Sequence, residues 1–363
     1  MLPRLPRRTL PALAACALLA GALAIGASPS RSVLASPGAA AAAGPAPEQL
    51  TRVRLGELGI LAGAGYYVAI EKGFFAEQGI EVDTTRFTTA AEMIAPLAAG
   101  QIDAGAGAIS AGLFNAMARG VELKVVADQG HTQPGYPGNA LMIRRDLVDS
   151  GQVRSAADLR GRRIAVPSAS VGLMTDLRAF LGEGGLIVND ARIDEMSFPD
   201  MLPALANSSI DAAVTVEPFV TFTVQRGLGV LWRWDAEVNP DHQIGVILYG
   251  PGLVREQPDV GRRWMAAYVR GLRYFNDGFV RGDAAAREET IAALMQRTVV
   301  RERALYDTMA LVGLDPDGAL RLPSMRADQE FFVQLGLQER LVDLETVVDP
   351  QFVQYARQVL GPY

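Results

Sequence analysis

The chain has 363 residues, 49% hydrophobic and 20% charged, which suits a globular protein with room for one large domain or two lobes. Its formal charge of −6 conceals a basic start: residues 1–47 hold Arg4, Arg7, Arg8 and Arg31 and no acid, so the remainder is more acidic still. That balance argues against nucleic acid as a partner, and a lone cysteine, Cys16, leaves no disulfide or thiol chemistry further along the chain. His131 and His242 are the only histidines, and no zinc, calcium or phosphate-loop motif is present, so neither metal nor cofactor is expected.

Arg4, Arg7 and Arg8 precede an apolar run from about Leu10 to Ala27, followed by small residues. This series reads as an export signal over residues 1–35, with cleavage favoured after Val33-Leu34-Ala35. Three alternatives stay open: a membrane anchor, a lipoprotein signal at Leu13-Ala14-Ala15-Cys16, and a twin-arginine signal at Arg7-Arg8. The run is Ala-rich and short for a bilayer. Residues 36–50 form an Ala/Pro/Gly linker with no core-forming pattern. The expected location is periplasmic or extracellular, with lipid anchoring through Cys16 as the variant case.

Val53 to Phe87 reads as one βαβ unit, with a helix carrying Tyr67, Ile70 and Phe74 between two strands. A helix over Ala91–Ala99, a small-residue strand over Ile102–Ala106, a helix starting at Ser110 and a strand over Leu123–Ala127 follow. Asn139–Ile143 reads as a strand leaving the first lobe. A second βαβ unit then runs from Arg163–Val166 through a helix with Leu177, Phe180 and Leu181 to a strand over Ile193–Met196. Leu97-Ala98-Ala99-Gly100-Gln101-Ile102-Asp103-Ala104 recurs as Leu205-Ala206-Asn207-Ser208-Ser209-Ile210-Asp211-Ala212. Two similar α/β lobes facing across a cleft follow from this repeat: lobe 1 over 51–141, lobe 2 over 142–241, and a return to lobe 1 over 242–363. The return starts with a strand at Ile244–Tyr249 and is helical after Pro251.

The words within these elements are familiar. "GYYVAIEKGFFAEQGIEV", "ADLRGRRIAV" before a Ser-rich loop, "IDAAVTVEPFV", "REQPDVGRRWMAAYVRGLRY" and "VDPQFVQYA" together resemble the NMT1/THI5-like and SsuA/TauA-like solute-binding proteins of ABC importers. The resemblance spans nearly all the chain after the linker. It implies a type II periplasmic-binding-protein-like α/β fold, two lobes with a hinge and a ligand cleft. It also implies a monomer that hands a small molecule to a permease and, through it, to an ATPase, without catalysis. The cysteine-rich motif of the thiamine-pyrimidine enzymes on this fold is missing, which disfavours that activity. An enzyme acting on a pyrimidine-like compound, and a sensory ligand-binding module, remain the alternatives.

In this fold, ligand contacts come from strand-tip loops. The expected contacts are Gly63, Ala64, Tyr66, Tyr67, Phe87, Thr88, Ala108, Ile109 and Ser110 in lobe 1, with His131 near the hinge. In lobe 2 they are Ser168, Ser170, Val171, Gly172, Met174, Glu217 and Phe219. Each fits a bland role as well: core packing for Tyr66, Tyr67, Met174 and Phe219, capping for Ser168, Ser170 and Glu217, a solvated hinge for His131. Arg86 is expected on the surface. Helix N-termini near Ala64, Ser110, Val171 and Glu217 suit an anionic or strongly polar ligand end, and the aromatic residues suit an organic body.

Overall fold

The computed structural model describes residues 50–168 and 171–363. The segment expected to be an export signal, with Cys16, the expected linker up to residue 49, and Ser170 lie outside the described residues. The fold is the mixed α/β, two-sheet architecture expected from the paired βαβ units. β1 (Thr51–Glu57), β2 (Ile80–Arg86), β3 (Ala104–Ala108) and β4 (Lys124–His131) belong to one sheet. β5 (Asn139–Arg144), β6 (Arg163–Val166), β7 (Arg192–Glu195), β8 (Ala212–Val216) and β9 (Gly229–Trp234) make the second, and β10 (Gln243–Tyr249) returns to the first. The orders are β2-β1-β3-β10-β4 and β7-β6-β8-β5-β9. In each sheet three strands run parallel and the fourth, β10 or β5, lies antiparallel to both its neighbours. "Lobe" below means one sheet with the helices on its faces.

The sequence repeat has a structural cause. Asp103, just before β3, accepts the backbone N–H of Arg54 in β1 at 2.8 Å. Its counterpart Asp211, just before β8, accepts the N–H of Arg163 in β6 at 2.9 Å. Ile102 and Ile210 beside them are buried. Gly100 and Ser208 share one place in the repeat, and both take the left-handed conformation, with φ of 66° and 62°. Glycine adopts it without penalty; Ser208 adopts it against its Cβ, because the same turn must feed the same strand.

Helix Pro258–Phe279 packs against helices Ala64–Glu71 and Gln351–Leu360 to build the core under the first sheet. Gly65 and Gly271 permit the close approach: a methyl on Gly271 would drive into the Gly65 carbonyl. Helix Leu322–Gln334 belongs to both lobes. Met325 and Phe332 enter a first-lobe core with Phe114 and Val246, whereas Phe331 enters the second-lobe core, under the Arg178 guanidinium at 4.2 Å.

One expected boundary moves. Asn139–Ile143 does not leave the first lobe; all of β5 pairs with β8 and β9, so the chain crosses between His131 and Asn139. An antiparallel strand entering a parallel sheet is apolar throughout when buried on both faces, so its sequence carries no mark of which sheet it joins. The return crossing lies between Trp234 in β9 and Gln243 in β10. Among the described residues no helix is long and apolar enough to cross a membrane, and no cluster of His, Cys, Asp or Glu could hold a metal ion.

Candidate functional site

A cavity of about 520 Å³ opens at the carboxyl ends of the parallel strands of both sheets. Leu58, Gly59 and Ile60 follow β1, Arg86 to Ala91 end and follow β2, and Ala108 ends β3. From the other lobe, Pro167, Ser168, Val171 and Leu173 follow β6, Glu195 ends β7 with Ser197, Phe198 and Pro199 after it, and Phe219 follows β8. This is where open α/β sheets receive ligands, and the size suits a small organic molecule. The walls are mainly apolar. Phe198 and Phe219 stack with ring centres 6.0 Å apart, and Phe219 meets Phe222 edge-on at 6.4 Å.

Of the expected contacts, Phe87, Thr88, Ala108, Ser168, Val171 and Phe219 line this cavity. The others do not. Gly63, Ala64, Tyr66 and Tyr67 are buried in the first-lobe core, because the glycine contact pulls their helix flat against Pro258–Phe279. Tyr66 packs on Tyr67 and Tyr268, with ring centres 4.6 and 6.5 Å away. Ile109 and Met174 are core residues. The Ser110 hydroxyl accepts from the Leu113 N–H at 3.1 Å and is spent as a helix cap. Glu217 is buried too: its carboxylate accepts from the Thr221 N–H and hydroxyl, both at 3.0 Å, and from the Ala310 N–H at 3.2 Å. Burial pushes its pKa up against those hydrogen bonds. Two of the four helix starts expected to hold an anion, at Ser110 and Glu217, are therefore capped within the protein, and a third, at Ala64, is buried in the core.

Both histidines are buried where the chain passes between lobes. His131 Nε2 lies 2.8 Å from an Arg321 guanidinium nitrogen, and Nδ1 lies 3.2 Å from Asp128. Guanidinium has no acceptor, so Nε2 must accept and the Nδ1 proton points to Asp128. Asp128 also accepts from Gln243 at 2.6 Å and from the Asp315 N–H at 2.8 Å. His242 stands between Asp176, in helix Leu173–Gly182, and Asp328, in the two-lobe helix Leu322–Gln334. Nε2 is 3.1 Å from Asp328; Nδ1 is 3.0 Å from Asp176, close as an ion pair but off the line of a good hydrogen bond. Burial alone would lower the His242 pKa, yet the charges of Asp176 and Asp328 outweigh it and hold the value well above that of an ordinary histidine. Gly172 sits beneath this trio, a methyl there falling 3.3 Å from Asp328, and its N–H donates to the Ile109 carbonyl of the opposite lobe at 3.0 Å.

Residues not expected as contacts also line the cavity, among them Arg86, Glu195, Ser197, Phe198 and Leu58. The rule that strand tips carry contacts would have found Ser197 and Phe198, since the strand before them was recognised.

This geometry defines a two-lobed α/β binding-protein fold with its cavity at the strand tips of both sheets. The NMT1-like family model matches residues 46–296, and the chain belongs to that family. A protein of Brucella abortus, known by name only as a binding protein, is 30% identical over 201 residues, 55% of this chain and 59% of that relative's length. Among solved structures, the ligand-binding component of an ABC-type import system from Staphylococcus aureus superposes with a TM-score of 0.69 at 17% identity, covering 84% of this chain and 98% of that one. The periplasmic nitrate-binding protein NrtA of Synechocystis superposes at 0.68 and 17% identity, covering 86% and 90%. A desulfurization enzyme, DSZB, shares the fold at 0.55 and 17% identity, covering 85% and 99%.

Proposed function

We propose that this chain is the extracytoplasmic solute-binding protein of an ABC importer. It captures a small organic ligand with an apolar, ring-bearing body and an anionic end, closes its lobes on it, and presents it to a membrane permease. The observation that carries this reading is the cavity itself, whose walls come from the strand tips of both sheets and include Phe87 from one lobe and Phe198 and Phe219 from the other. Burying such rings against a ligand ring is worth about 25 cal/mol per Å² of apolar surface removed from water. The Gly172 to Ile109 hydrogen bond and the Ser110–Val171 bridge support lobe closure, since both join the lobes beside the cavity. No catalytic step is assigned to the cleft, and the chain's one cysteine, Cys16, belongs to the segment read as an export signal.

Mass spectrometry of small molecules released from the purified protein should find an aromatic or aliphatic organic anion. That compound should raise the melting temperature by mass action. Small-angle scattering should show compaction when it is added, because only a ligand that favours one state shifts the population. Turnover of the released compound by the purified protein would reverse the reading in favour of an enzyme.

A further inference from the structure

The geometry points to Arg86 as the residue that recognises the anionic end of the ligand, held for that purpose by a buried Glu57–Tyr67–Gly59 mount. This deepens the solute-binding reading and rests on it. Arg86 ends β2 and lines the cavity, with about half of its side chain exposed. Behind it lies Glu57, whose side chain is only 4% exposed. Arg86 Nε donates to Glu57 Oε1 at 3.0 Å. The other oxygen, Oε2, accepts from the Tyr67 hydroxyl and the Gly59 N–H. Arg86 Nη2 donates to the Arg297 carbonyl.

Gly59 makes the mount possible. Its φ of +70° belongs to the left-handed region, and a methyl there would come within 2.5 Å of the guanidinium carbon. The guanidinium thus occupies the space a side chain would fill, pressed flat against the β1 exit loop. The guanidinium also offsets the buried Glu57 carboxylate, which fixes its position at the cavity wall.

The count of donors completes the case. Guanidinium carries five N–H groups in a planar fork. Nε and one Nη2 proton are used on the protein side, and Tyr67 is a further partner, which still leaves N–H groups of the fork over. A fork anchored at one edge and offered at the other matches a planar or tetrahedral anion. The other charged residue among the described lining is Glu195, on the opposite sheet at the end of β7. Because the walls are mainly apolar, the class is an organic anion: a carboxylate or sulfonate on a ring or chain.

The test uses matched pairs, benzoate against benzamide and benzenesulfonate against benzenesulfonamide, titrated calorimetrically into the mature protein. Wild type should bind the anion of a pair roughly ten- to a hundredfold more tightly than its neutral partner, the range of a charge-assisted hydrogen bond. In Arg86→Gln the affinity for the anion should fall toward that of the amide, and Arg86→Lys should recover part of it. Removing Arg86 leaves Glu57 buried without its partner, so Glu57→Gln/Arg86→Gln is made alongside. It should melt near wild type and still lack the anion preference. Persistence of the preference in the double variant would overturn the assignment. Equal binding of anion and amide by wild type would also overturn it while leaving the solute-binding reading intact, whereas binding of neither member of either pair would count against both.

Discussion

Replacing His242 by Leu should destabilise the folded protein by about 3–5 kcal/mol, the cost of stranding buried charge. His242 is 1% exposed, with Asp176 and Asp328 on its two sides, each fully buried. The imidazolium offsets two carboxylates at once. Without it, hydrogen bonds to Asp176 from Asn139 at 2.8 Å and Asn239 at 2.9 Å, and to Asp328 from Thr175 at 2.6 Å, are left to hold two buried anions. Because Asp328 stands on the helix that enters both lobe cores, the damage should be global. Urea unfolding would register it as a lower midpoint; a midpoint within about 1 kcal/mol of wild type would contradict the ion-pair account.

The same cluster sets a pH dependence. A histidine whose pKa is raised in the folded state gives its full stabilisation below its ordinary value and loses it as pH climbs through the raised one. Asp235 acts in the same direction. Burial first, and the nearby Asp176 charge second, push its carboxyl up to about 8, against three backbone N–H bonds that pull it down. The folded state then holds a proton the unfolded state releases, so stability falls as pH rises from about 4 to about 8. The unfolding midpoint should decline steadily from mildly acidic to alkaline pH, and less steeply in His242→Leu.

Tyr66→Ala carries the second large effect, about 3–5 kcal/mol, as for other aromatic-to-alanine changes in cores. Its ring is fully buried against Tyr67 and Tyr268. Tyr66→Phe keeps the ring and should cost at most about 1 kcal/mol. The folded fraction of either variant should bind ligand as wild type does; a loss of affinity without a loss of melting temperature would return Tyr66 to the cleft.

Tyr66 also shows what a sequence can and cannot carry. The βαβ periodicity, the Ser110 cap and the repeated Asp103/Asp211 phrase are local signals, and each appears in the fold where local chemistry demands it. Tyr66 heads a helix that is apolar on every side, so nothing in its spacing says which face meets the cleft. That choice is made by Gly65 against Gly271, two residues far apart in the chain. Arg86 is the reverse case. As a charged residue at a strand end it reads as surface, and only the fold brings Glu57, Gly59 and Arg297 around it. His131 and His242 likewise look like scattered polar residues until the lobe crossings place carboxylates beside them.

The central claim is that the cavity between the two sets of strand tips is where the ligand sits, and Ala91→Trp tests it most directly. Ala91 is exposed, lies in the short turn Ala90–Met93 and lines the cavity, so an indole there intrudes on the ligand without entering either core. The compound released from the purified protein should be titrated calorimetrically into wild type and Ala91→Trp, with melting curves alongside. The account predicts an unchanged melting temperature and binding weaker by roughly tenfold or more. A folded Ala91→Trp variant that binds the compound as tightly as wild type would contradict it.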